Sequence, residues 1–381
     1  MAPEEDMATG TARMPVGFYL GATLVGLWMR LVLAGWRSPI PFDHLLHAHS
    51  HTLYFGWAGL LILVAADAPY LRWAGFLVTV MGAAFLAGGY EPAAIVASTL
   101  VMFAWYAAIG SWWRRPQRSE DSLLRRSLAY MLLASVGVWV LAVLKATEAG
   151  NALAEDLAIH GFLGTFAWSF VFGAAALVAR WHPLDPDGGR RLTTWWLVLA
   201  WITFPLGVAG GPEVAVLGPM ARIAGVLLLY PAALWMVALW RTTELPLRLA
   251  AAWFGLAATG LAATGIGGTA LLEAAGRAGV VVYLHTLLLG FVTTVAMWHL
   301  GRLFQARTGP AIAGHQAGVA LMLTGVALPW VGTTPTIAMD LAAWGALLTW
   351  LAGLAWAGAL WGATPGTTHS NQATTTSRQE A

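Results

Sequence analysis

The chain has 381 residues, 59% of them apolar and only 10% charged. Soluble domains carry about 25% charged residues, so a water-soluble globule and a disordered chain are both excluded. The formal net charge is +2, from 20 basic and 18 acidic residues. There is no cysteine, which removes disulfides, iron–sulfur clusters and thiolate metal sites.

A membrane-spanning helix needs about 20 apolar residues. Twelve apolar runs follow one another, at 15–34, 42–66, 71–89, 92–113, 124–146, 157–181, 192–210, 218–240, 247–272, 279–305, 311–331 and 335–361. They lack the period-two alternation of barrel strands and are far too long to be such strands. The sequence therefore predicts an all-α integral membrane protein, a twelve-helix transmembrane bundle. An N-terminal tail (1–14) precedes the transmembrane domain (15–362), and a disordered polar tail (363–381) follows it. The first run does not read as a cleavable signal. Glu4, Glu5 and Asp6 precede it, and no small-residue cleavage site follows before Trp36. Gly17/Gly21, Gly207/Gly211 and Gly358/Gly362 are spaced for close helix packing.

Fifteen of the lysines and arginines fall on the side that holds the termini and the loops after even-numbered helices; five fall on the other. This bias places both termini in the cytoplasm of a bacterial-type inner (plasma) membrane. Every even-numbered helix then starts at the outer face. The expected surroundings are the lipid bilayer; nucleic acid is not an expected partner.

The ten histidines carry the chemistry. Helix 2 opens Asp43-His44-Leu45-Leu46-His47-Ala48-His49-Ser50-His51. At about 100° per residue, His44, His47 and His51 share one face and His49 points elsewhere. Helix 6 carries His160 near its start, and helix 10 carries His285 near its start. Three even-numbered helices thus place imidazoles at one depth near the outer face. Ionisable groups there are costly and usually face the bundle interior with a function. Imidazole ligates haem iron, copper and zinc; the alternative is that each ring bonds a backbone carbonyl or lines a watery mouth. The preferred axial pair for one haem b is His47 with His285, with His49 or His51 as the competing choice on helix 2. Arg37 and Arg277 would hold haem propionates, with a role in topology or solubility alone as the equal alternative. His51, His160 and His44 would supply a copper or zinc ion. A second pair, His299 and His182, lies toward the inner face. Lys145 and Glu148 read as an ion pair at the outer end of helix 5, with proton entry as the alternative.

Twelve helices, cytoplasmic termini and outer-third histidines on helices 2, 6 and 10 resemble subunit I of the haem–copper oxidases. His47-Ala48-His49-Ser50-His51 through Phe55-Gly56-Trp57, and Tyr283-Leu284-His285 through Gly290-Phe291, carry the likeness. The resemblance implies a low-spin haem between helices 2 and 10. The chain departs from that family at helix 7, where Thr193-Thr194-Trp195-Trp196 stands in place of paired histidines. It departs again after His285, where Thr286 and Leu287 replace a His-x-His pattern. A complete oxygen-reducing centre is therefore not expected. His47-Ala48-His49 and Phe55-Gly56 are also similar to the haem-containing NnrS family, which is linked to nitric oxide tolerance.

Three functions follow as expectations. The first is a haem- or metal-binding membrane protein with a redox, nitric oxide or copper role, working beside respiratory-chain subunits. The second is a proton-coupled transporter, with the runs broken near Pro205 and Pro231 as its support. The third is a cofactor-free assembly partner of a respiratory complex. The topology has its own check: a reporter fused after Arg115 is expected to behave as cytoplasmic, and an outside signal there would overturn the orientation.

Overall fold

The computed structural model describes residues 3–116, 121–147, 152–182 and 229–363. The runs at 192–210 and most of 218–240 lie outside them, as do Glu148 and the tail from 364 onward, so the twelve-helix count is carried by the sequence. Among the described residues every regular element is helical: α1 (Pro3–Leu33), α2 (Phe42–His51), π1 (Thr52–Gly59), α3 (Leu60–Ala65), α4 (Leu71–Gly88), α5 (Pro92–Trp113), α6 (Ser122–Thr147), α7 (Ala152–Ala179), α8 (Leu229–Trp240), α9 (Leu245–His285), π2 (Thr286–Thr293), α10 (Thr294–Leu303), α11 (Gly309–Ala327), a short 3-10 turn, and α12 (Pro335–Trp361). Seven of the helices are long and apolar enough to cross a membrane. Their outward faces keep large apolar side chains exposed, such as Trp73, Phe76, Phe103, Trp344 and Leu351. Lipid is as apolar as these side chains, so such a surface is stable only in a bilayer.

Two boundaries differ from the expectation. Helix α1 starts at Pro3, inside the expected tail, because no proline interrupts the chain between Pro3 and Pro15. No loop separates α9 from the helix after it; helical backbone runs from Leu245 to His285. The segment nevertheless doubles back. Glu244 meets Arg302, Trp253 lies against Gly290, and Phe254 packs on Phe291 at 5.0 Å. These partners are symmetric about a point near residue 272, so the runs expected at 247–272 and 279–305 are antiparallel neighbours. Arg277 belongs to the helical backbone of α9 rather than to a loop.

The close packing of small residues also falls elsewhere. Gly17, Gly21 and Gly358 have open space where a Cβ would stand. The tight approach is between α11 and α12, where a Cβ on Gly345 would lie 2.2 Å from the Met322 backbone nitrogen.

One end of the bundle is rich in arginine, and the arginines are used there. The last carbonyls of a helix have no partner within it. Arg13 donates to Leu360 O at 2.9 Å and to Ala363 O at 2.7 Å, closing the end of α12. Arg180 donates to Ala65 O at the end of α3, and Arg115 donates to Asp67 O at 2.8 Å. The guanidinium charges also suit the negative ends of these helices.

Glu244 ties the same end together. It accepts from Arg302, from the Trp298 indole and from His182 Nε2 at 3.1 Å, while Arg302 lies over the Trp181 ring at 4.8 Å. Glu244→Ala is expected to lower unfolding stability in detergent by about 2 kcal/mol, because charge-assisted bonds at a half-exposed site are lost together. Thermal unfolding of the purified variant measures it, and an unchanged midpoint would show that the cluster is ornamental.

Candidate functional site

The outer-third histidines separate into two groups because α2 has two faces. Leu45, Ala48 and Leu53 mark its buried face. His49 belongs to that side and points at α1. His44, His47 and His51 belong to the other side and meet α4 and the turn after it.

His49 and His285 are brought next to each other with their ring planes nearly parallel. Their ring centroids are 6.3 Å apart, and the planes differ by 10°. His49 Nδ1 lies 2.8 Å from Ala22 O, and His285 Nδ1 lies 2.8 Å from Val281 O. A carbonyl only accepts, so each Nδ1 carries the proton and each Nε2 presents a bare lone pair. Neither Nε2 has a hydrogen-bond partner among the described residues. Gly26 makes room for the His49 ring: a Cβ there would lie 2.8 Å from His49 Cε1. Arg30, in the last turn of α1, is within electrostatic reach of both rings.

These residues fit a haem. A metal–imidazole bond is about 2.0 Å and a ring nitrogen lies about 1.1 Å from its ring centre, so two imidazoles on opposite sides of one iron have centroids about 6.2 Å apart. The observed separation matches that value. The carbonyl bonds at Nδ1 fix the tautomer and ring direction, as outer partners of metal-bound histidine do. The donor set is two neutral nitrogens with a cation beside them. That suits a planar group that brings its own nitrogen ligands and carboxylates better than a bare divalent ion.

The pair differs from the expected one in its helix 2 member. The His47 ring meets Tyr90 edge-on at 4.3 Å. His51 Nδ1 donates to His47 O at 2.9 Å, and the Tyr90 hydroxyl lies 3.4 Å from His51 Nε2. His44 Nδ1 lies 3.4 Å from Leu86 O. These three rings are directed at backbone carbonyls and aromatic edges. Among the described residues no group of three or more His, Asp or Glu converges as a metal site. His160 lies in α7 and Arg277 in α9, with their side chains outside the described set, as is that of Lys145. Arg37 is exposed on the connection after α1.

The inner pair is committed elsewhere. His299 Nδ1 accepts from the Trp181 indole at 2.9 Å, and the His182 ring stacks on Trp298 at 5.8 Å while its Nε2 meets Glu244.

Beneath the paired imidazoles lies a polar layer that sequence reasoning missed. His315 and Tyr19 are fully buried, and the Tyr19 hydroxyl lies 3.0 Å from His315 Nδ1. His315 Nε2 lies 3.0 Å from Leu289 O, and the Trp57 indole donates to Thr293 Oγ1 at 3.1 Å. A lone histidine in an Ala- and Gly-rich helix gives no periodic signal. Arg30 was legible only as one of the five basic residues on the outer side.

No family model matches the chain, and no curated protein matches it in sequence. Among solved structures, the fold is similar to that of a heme–copper terminal oxidase dimer determined by cryo-electron microscopy. The TM-score is 0.63 at 12% identity, covering 95% of this chain and 84% of that one. The likeness supports a remote haem–copper-oxidase-like fold and concerns the fold alone.

Proposed function

We propose that this chain holds one haem b between His49 and His285 and serves as an electron-transfer protein of a bacterial-type plasma membrane, its arginine-rich end in the cytoplasm. The observation that carries the reading is the adjacent imidazole pair, with parallel planes, Nε2 lone pairs without hydrogen-bond partners among the described residues and a separation that suits one iron. The absence of cysteine leaves no thioether attachment, so a covalently linked haem c is excluded and the proposal takes the unmodified haem b.

Bound there, a haem supplies a one-electron ferric/ferrous couple. The chain supplies the rest. Ala22 O and Val281 O hold the two ring protons and make the opposite nitrogens better donors. Arg30 offers a guanidinium to propionate, a pairing that is strong in a site of low dielectric. Both His49 and His285 would be committed to holding the group, which would leave oxygen or nitric oxide no protein-free position to bind there. Electron relay to a respiratory partner is therefore favoured over gas reduction. A lone copper or zinc ion between the same rings is disfavoured twice: zinc usually takes four ligands, and Arg30 repels a bare cation.

The visible spectrum of the purified protein tests the reading. A low-spin Soret and α-band is expected in the wild type. His49→Ala and His285→Ala should each abolish it, and His47→Ala should keep it. A full low-spin spectrum in His285→Ala sinks the assignment. A colourless wild type without copper or zinc returns the function to a transporter or an assembly partner.

A second variant touches no ligand. Gly26→Val drives a side chain into the His49 ring and pulls Nδ1 from Ala22 O. Haem affinity is expected to fall about 10–100-fold, the range typical for loss of an outer partner; titration of haem into the stripped protein measures it. Wild-type affinity would mean that the His49 position is not the binding one.

A further inference from the structure

The two π-helical turns are the unusual backbone of this molecule. Each begins directly after the last histidine of its helix: π1 after His51 and π2 after His285. π-turns are rare, intrinsically poorer than α-helix, and concentrated at functional sites. Such a turn needs bonds from outside itself to persist. In π2 those bonds come from several other elements. His315 on α11 approaches the Leu289 carbonyl with Nε2, so Nε2 must carry the proton and Nδ1 must accept. Tyr19 on α1 then donates its hydroxyl proton to Nδ1. The relay Tyr19 to His315 to Leu289 runs in one direction and is fully buried. Trp57, in π1, packs on Tyr19 at 5.1 Å and donates to Thr293 at the far end of π2. Gln316, next to His315, donates to Thr294 at 2.5 Å.

We infer that Tyr19 and His315 are positioning residues for the haem ligand His285. They act through the Leu289 carbonyl to keep π2 wound and so to set the plane of the His285 ring. A π-turn carries about one residue more than an α-turn, and one residue is about 100° of helix rotation. If π2 relaxes to α-helix, its two flanking pieces rotate against each other. The inner piece is held by Arg302 on Glu244. The rotation therefore falls on the outer piece, which carries His285. The parallel ring planes are what that rotation destroys.

The inference rests on haem binding by His49 and His285, and the experiment separates the two claims. The full-length protein is purified with its haem as wild type, His315→Leu and Tyr19→Phe. The readouts are the low-temperature electron paramagnetic resonance spectrum of the ferric haem and its midpoint potential. Parallel axial planes give an ordinary rhombic low-spin signal, and planes turned toward perpendicular give the strongly anisotropic, large-g type. The wild type should show the rhombic signal. His315→Leu should keep haem, move toward the large-g signal and change its potential. Tyr19→Phe, which keeps the ring and loses only the hydroxyl, should move the same way by less. Signals and potentials identical to wild type in both variants overturn the positioning role while leaving haem binding intact. If His315→Leu does not fold, Tyr19→Phe decides alone: a wild-type signal refutes the inference and a shifted one supports it. A wild type without haem overturns both claims together.

Discussion

A nitrogen lone pair inside hydrocarbon has to be answered, because water is not there to answer it. That rule sorts the polar groups of this bundle. The arginines at one end answer the last carbonyls of α3 and α12. His315 and Trp57 answer π2, and Gln316 answers Thr294 at the start of α10. His44 and His51 answer carbonyls of α4 and α2. The Tyr54 hydroxyl and the Trp105 and Trp356 indoles are left without partners, but they can donate to aromatic faces around them. His49 and His285 are different in kind. Each spends its one proton on a carbonyl and keeps an acceptor with no hydrogen-bond partner among the described residues, with the two rings 6.3 Å apart. Two acceptors cannot bond each other, and that unanswered pair is what the proposed haem would satisfy.

The fold was legible because lipid imposes a length and a composition on each helix. Its errors came where length and composition are silent. The break between the runs at 272 and 279 located the reversal of α9, and the contacts of Trp253 and Phe254 agree with it, but no loop signal predicted helical backbone through it. The π-turns are equally invisible, since they depend on tertiary bonds from Tyr19, Trp57 and His315 rather than on local propensity.

The site was half legible. A common depth for helices 2 and 10 follows from the topology, and it led to His285 and the helix 2 cluster. The choice within the cluster needs the face of α2, which a common depth does not give. A second signal was present in the same residues. Leu45, Ala48 and Leu53 trace the stripe that an interior helix buries, and His49 sits within it. His47 and His51 sit opposite, beside the exposed Leu46 and the aromatic rings of Phe85 and Tyr90. Depth measured position along the helix; following the apolar stripe would have measured direction.

A fold of this type does not oblige its bearer to the chemistry of its relatives. The helix that carries His285 shows how the range is narrowed. Two residues on, Leu287 is buried among apolar neighbours, and π2 continues with Leu288, Leu289 and Phe291. An apolar side chain at that position gives a second iron nothing to bind, while it adds to the packing that holds π2. The same stretch of helix thus closes one option and steadies the other. What remains is a bundle anchored at its arginine-rich end, with a braced turn at mid-depth and one pair of imidazoles above it. Such a construction favours a fixed ligand geometry, and a fixed geometry lowers the reorganisation that electron transfer at a metal requires.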